Sequence, residues 1–94
     1  MRTLTIALAQ IQSIPAVKEA NLKKMYEYVD RAVEMNAQFV LFPELALTSY
    51  ALKDLFYKVA EPIPGPSTEK MIVKAREKNV YIGFGMPERS LNDP

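Results

Sequence analysis

Cysteine and histidine are both missing from these 94 residues. The first absence excludes disulfides, zinc–thiolate sites and thiol nucleophiles within this stretch. The second removes the commonest general base and the commonest metal ligand. Any chemistry carried here must use carboxylates, lysines, tyrosines, hydroxyls or backbone groups, and neither a metal nor a cofactor is expected. Charge of one sign is also lacking. Twelve basic residues face eleven acidic ones, for a net charge of +1. With no basic block and no acidic tail, nucleic acid is not an expected partner. No apolar run approaches the roughly 20 residues of a membrane helix. Met1-Arg2-Thr3 leads straight into a strand-like run without a signal-peptide pattern, so the expected location is cytoplasmic. Gly83-Phe84-Gly85 is followed by no third glycine and no helix start. Close packing in a strand therefore explains it better than a phosphate loop.

The remaining composition is ordinary for a globular protein, with 49 % apolar and 24 % charged residues. The length suits one small domain that buries only a modest share of its surface. Residues 3–10 read as a strand with apolar or small residues on both faces, as in a strand covered on both sides. Ser13 to Pro15 break it, and Pro15 suits a first helical turn. From about Ala16 to Asn36, Leu22, Met25, Val29, Ala32 and Val33 recur at spacings of three and four, one stripe of an amphipathic helix. Asn36 suits its stop. Tyr26 and Tyr28 on this helix read as core or interface. Phe39-Val40-Leu41-Phe42 reads as a central parallel strand, ended by Pro43, which cannot continue the ladder.

Residues 45–63 read as irregular, with one short helical turn near Asp54–Val59. Pro62-Ile63-Pro64-Gly65-Pro66 is a stiff turn. Ser67 is the expected cap of a second helix running to about Lys78, with Glu69 complementing the dipole and Asn79 ending it. Lys70 stands where a capping box based on Ser67 would need Glu or Gln. An anion at this helix start is conceivable, but capping explains Ser67 and Thr68 without one. Val80 to Met86 reads as a third strand, closed by Pro87. The order predicts a parallel β-α-β-α-β unit with right-handed crossovers. Three strands with these helices leave one sheet face uncovered, and Ser90–Pro94 reads as a turn. Residues 1–94 are therefore expected to be the incomplete N-terminal part of a single domain.

Ligands of open α/β sheets gather at the carboxyl ends of the strands. Glu44 falls there, just past Pro43. Burial in such a cleft would raise its pKa and make it a usable base. An acid that merely caps a turn explains the same placement.

Phe42-Pro43-Glu44-Leu45, followed by Leu47-Thr48-Ser49-Tyr50, resembles the first catalytic motif of the nitrilase superfamily. Ile6-Ala7-Leu8-Ala9-Gln10 resembles that family's opening strand, and Glu19-Ala20-Asn21-Leu22 the start of its first helix. Ile63-Pro64-Gly65-Pro66-Ser67-Thr68 and Gly85-Met86-Pro87-Glu88-Arg89 resemble later landmarks, all in the right order. The resemblance implies a four-layer α-β-β-α sandwich, of which this chain is the N-terminal portion. It implies hydrolysis of non-peptide carbon–nitrogen bonds in a small amide, nitrile or carbamoyl substrate. The family uses a Glu base, a Lys that stabilises the oxyanion and a Cys nucleophile. Glu44 takes the base role. No lysine here matches the Lys motif and there is no cysteine, so this stretch alone is expected to be inactive.

Tyr50 is the candidate for lining the substrate pocket, with a packed loop aromatic as the plainer explanation. The family commonly has Gly where Ser49 stands. If that position needs a positive φ, serine brings a small strain. The family often forms homodimers or higher homo-oligomers, and the same is expected here. Tyr50-Ala51-Leu52-Lys53-Asp54-Leu55-Phe56 resembles the glutaminase domain of glutamine-dependent NAD synthetases, whereas Pro-Gly-Pro-Ser fits simple amidases better. Two other readings remain at this point: a small anion-binding α/β module, and a non-catalytic truncated relative serving as partner or scaffold.

Overall fold

The computed structural model describes residues 3–15, 17–43, 45–48 and 56–89, without the side chains of residues 56 and 57. The element order is β1 (Ile6–Leu8), α1 (Lys18–Glu34), β2 (Phe39–Leu41), α2 (Phe56–Val59), α3 (Pro66–Lys78) and β3 (Tyr81–Gly83). The strands form one sheet in the order β1-β2-β3. Both pairings are parallel, as the sequence order predicts. β1 and β3 are shorter than the apolar runs suggested. Single contacts extend them, such as Ala9 N–H to the Leu41 carbonyl and Phe42 N–H to the Gly83 carbonyl.

The register explains the core. Ala7, Val40 and Ile82 lie side by side on one face. Val40 is fully buried there, packed with Leu22, Met25, Val29 and Ala32 of α1 and Met71 of α3. Complete burial of a side chain such as Met25 or Val29 is worth about 1.5–3 kcal/mol, so the α1 stripe anchors the sheet. The opposite face carries Ile6, Phe39 and Tyr81 in one row and Leu8, Leu41 and Gly83 in the next. It is open: Leu8 and Tyr81 are each 73 % exposed, and Ile6 is 52 % exposed. The expectation that β1 is covered on both sides is not met among the described residues. The expected uncovered face is present. Gly83 fits closely there, since a Cβ would meet Leu41 Cδ1 at 2.9 Å; this is the close strand packing expected of Gly83-Phe84-Gly85.

α1 and α3 stop for the same reason. Asn36 and Asn79 adopt left-handed backbone, with φ of 64° and 55°. Ala37 N–H reaches the Ala32 carbonyl and Asn36 N–H the Val33 carbonyl; Val80 N–H and Asn79 N–H reach Ala75 and Arg76 in the same pattern. Each is a Schellman closure, which asparagine tolerates better than most residues.

The helix starts differ from expectation. α1 begins at Lys18 rather than near Ala16, because a turn from the Ile14 carbonyl to Val17 N–H precedes it and leaves Pro15 outside. α3 is capped by Gly65, not Ser67, with Pro66 at the first helical position, where a missing N–H is harmless. Thr68 closes the cap, its hydroxyl accepting from Gly65 N–H at 2.6 Å. Ser67 is engaged elsewhere. α1 and α3 are joined at their surface by Asp30 with Lys74 at 2.8 Å, and Lys74 also lies over the Tyr26 ring at 5.5 Å. Among the described residues no helix is long and apolar enough to cross a membrane.

Candidate active site

Because the sheet is parallel, the chain leaves β1, β2 and β3 at one common edge. β2 delivers its chain into Phe42, which is 4 % exposed, and then Pro43. Glu44 and Tyr50, the two residues singled out from the sequence, lie outside the described residues, as does Ser49. The turn that follows Glu44 is described. Leu45 has φ of 52°. A left-handed non-glycine residue costs on the order of 1–3 kcal/mol and persists only where its surroundings over-determine it.

Those surroundings are identifiable. Ala46 N–H donates to the Pro43 carbonyl and Thr48 N–H to the Leu45 carbonyl, each at 3.2 Å. Ala46, Leu47 and Thr48 are all buried. The Ser13 hydroxyl donates to the Ala46 carbonyl. Asn21, 0 % exposed, donates through its amide nitrogen to the Leu47 carbonyl at 2.7 Å and to the Ile14 carbonyl at 2.8 Å. Its amide oxygen accepts from Ile14 N–H at 2.7 Å. The first turn of α1 thus ties the β1–α1 connection to the turn after β2.

From the first residue of α1, Lys18 reaches Glu61 at 2.6 Å. Glu61 is 6 % exposed. It also accepts from Ser67 N–H at 2.8 Å and from the Ser67 hydroxyl at 2.6 Å. Burial raises the carboxyl's pKa, but the bonds from Lys18 and Ser67 outweigh it and hold the value below the ordinary 4.5. Backbone bonds from Glu61 N–H to the Pro87 carbonyl and from Arg89 N–H to the Glu61 carbonyl tie the same segment to the chain after β3. Glu61 therefore fastens three elements, which occupies its oxygens structurally.

Sequence reasoning missed Asn21 and Glu61 as organising residues. Asn21 left a readable trace, a polar residue one position before Leu22 on the apolar stripe. Glu61 left a fainter one, a single carboxylate between Val59-Ala60 and the proline-rich turn. One concavity, lined by Tyr26, Lys70, Val73, Lys74 and Glu77, opens on the α1–α3 surface. Among the described residues no group of three or more His, Cys, Asp or Glu side chains could hold a metal ion.

The model of the carbon–nitrogen hydrolase family matches residues 5–94. The omega-amidase NIT2 of Bos taurus is 37 % identical over 90 residues, covering 95 % of this chain and 32 % of that protein. The omega-amidase NIT2 of Xenopus tropicalis is 36 % identical over 89 residues, 94 % of this chain and again 32 % of the relative. The chain thus spans about a third of the length of these relatives. An amidase from Nesterenkonia sp. superposes with a TM-score of 0.79 at 24 % identity, over 93 % of this chain and 33 % of its own. A glutamine-dependent NAD(+) synthetase from Cytophaga hutchinsonii gives a TM-score of 0.70 at 26 % identity, over 96 % and 15 %. On this evidence the chain belongs to the carbon–nitrogen hydrolase family and carries an N-terminal β-α-β-α-β portion of the nitrilase fold.

Proposed function

We propose that the intact protein hydrolyses carbon–nitrogen bonds other than peptide bonds, with Glu44 as its general base. The observation that supports this most is the family match across residues 5–94, combined with a parallel strand, β2, whose chain continues through buried Phe42 to Pro43, directly before Glu44 in the sequence. In the proposed reaction Glu44 takes the proton of a cysteine thiol as the sulfur attacks the amide carbon. A lysine ammonium stabilises the oxyanion. Ammonia leaves with a proton returned by Glu44, and a thioester remains. Glu44 then deprotonates water, which releases the acid and restores the thiol. There is no cysteine here and no lysine that matches the family's motif, so the proposal draws both from outside these residues.

The omega-amidase relatives favour a small substrate with a terminal amide, and Tyr50 is our candidate for lining its pocket. The reading needs no cofactor, and it includes a homodimer or higher homo-oligomer. The open apolar face of the sheet fits it as well: in a four-layer sandwich a second sheet would cover Leu4, Ile6, Leu8, Leu41 and Tyr81.

The test is ammonia release by the intact protein from succinamic acid, propionitrile and a carbamoyl amino acid, with and without prior iodoacetamide. Turnover of at least one substrate, abolished by alkylation and protected by that substrate, is expected. A well-folded protein that turns over none of them, or is indifferent to alkylation, contradicts the proposal.

A further inference from the structure

Asn21 takes no part in that scheme, yet it is fully buried in the first turn of α1, with both its amide hydrogens and its amide oxygen engaged. A buried polar group left without partners is costly, so a primary amide satisfied on every side is held in one orientation. Its reach is specific. One donor grips the Leu47 carbonyl, and the other donor and the oxygen grip both backbone groups of Ile14. Ser13, adjacent to Ile14, holds the neighbouring Ala46 carbonyl. Two consecutive carbonyls of the turn that starts at strained Leu45 are therefore pinned from the β1–α1 connection.

We infer that Asn21, together with Ser13, is a positioning residue for the general base: the pair fixes the turn that immediately follows Glu44 and so sets where the chain delivers residue 44. This rests on the reading of Glu44 as base. Asparagine suits the task because one end accepts while the other donates twice. Aspartate could still accept from Ile14 N–H, but it would face the Ile14 and Leu47 carbonyls with no hydrogen to offer.

The competing account is that Asn21 only stabilises the fold. In that case its loss lowers the folded fraction but leaves turnover per folded molecule unchanged. The experiment compares Asn21→Asp, Ser13→Ala and Glu44→Gln in the intact protein. Steady-state kinetics on succinamic acid are normalised to active sites counted by the ammonia burst, well below each variant's unfolding temperature. We expect kcat per site to fall roughly 10- to 100-fold in Asn21→Asp, with KM nearly unchanged, because misplacing a catalytic group by about 1 Å has effects of this size. Ser13→Ala should fall less, in the same pattern. Should Asn21→Asp fail to fold, Ser13→Ala decides, since it only deletes a hydroxyl. Wild-type kcat per site in the folded variants, with Glu44→Gln inactive, overturns the inference and leaves the proposed reaction standing. An active Glu44→Gln overturns the base assignment and the inference with it.

Discussion

Replacing Glu61 by glutamine keeps the side chain's shape and removes its charge. Three donors converge on the carboxylate: Lys18 Nζ at 2.6 Å, Ser67 N–H at 2.8 Å and the Ser67 hydroxyl at 2.6 Å. A hydrogen bond to a charged group contributes about 1.5–3 kcal/mol. Glutamine's oxygen can still accept from Ser67 N–H, and the Ser67 hydroxyl can turn to accept from the new amide. Lys18, with 25 % of its side chain exposed, can turn to water. The expected net loss is thus one charge-assisted contact, about 2 kcal/mol.

The same carboxylate sets a pH dependence. Its native pKa lies below the ordinary 4.5, so Glu61 binds fewer protons folded than unfolded. Its contribution is therefore complete above that ordinary value and is lost as the pH falls through the native one. Urea unfolding of wild type and Glu61→Gln at neutral pH, then in steps below pH 4.5, reads both effects. The gap in unfolding free energy should be full at neutral pH and close in acid. A gap under about 0.5 kcal/mol at neutral pH, the scale of an ordinary exposed pair, or one that persists unchanged in acid, refutes the reasoning.

Gly65→Ala should be costly, because its Cβ would lie 2.3 Å from the Pro62 carbonyl oxygen; overpacking against backbone predicts a loss of about 3 kcal/mol by urea unfolding. Gly83→Ala meets side chains rather than backbone, the end of Leu41 at 2.9 Å and the Phe39 ring at 3.4 Å, and should cost less, about 1 kcal/mol. Leu8→Lys reads the sheet's open face: burial under a second sheet predicts a loss of several kcal/mol or failure to fold in the intact protein, and an unchanged urea midpoint contradicts that cover. Asp30, whose pKa is lowered by its bond to Lys74 against the opposing effect of desolvation, has a side chain 45 % exposed. Asp30→Asn should cost at most about 0.5 kcal/mol, and less in high salt, by the same unfolding assay.

The periodicity of Leu22, Met25, Val29 and Ala32 made α1 readable, because a single helical stripe has to face the sheet. Asn36 and Asn79 were readable as stops because few other residues accept left-handed backbone. The α3 cap lies two positions before Ser67, at Gly65. Ser67 is a good cap in isolation, but Glu61 claims both its N–H and its hydroxyl, and that contact links residues with no local pattern between them. The ends of β1 and β3 were overextended, since apolar runs continue past the last paired residue. At the candidate site the motif around Glu44 was legible as a resemblance. The hold of Asn21 on Leu47 spans 26 residues, and sequence spacing does not encode such a contact.

The most direct test of the central claim is the turnover of Glu44→Gln in the intact protein on an amide that the wild type hydrolyses. With unfolding behaviour matching the wild type, kcat/KM should fall by on the order of 10²–10⁴ or more, the contribution of a positioned general base. A folded Glu44→Gln enzyme that retains wild-type turnover would contradict the account.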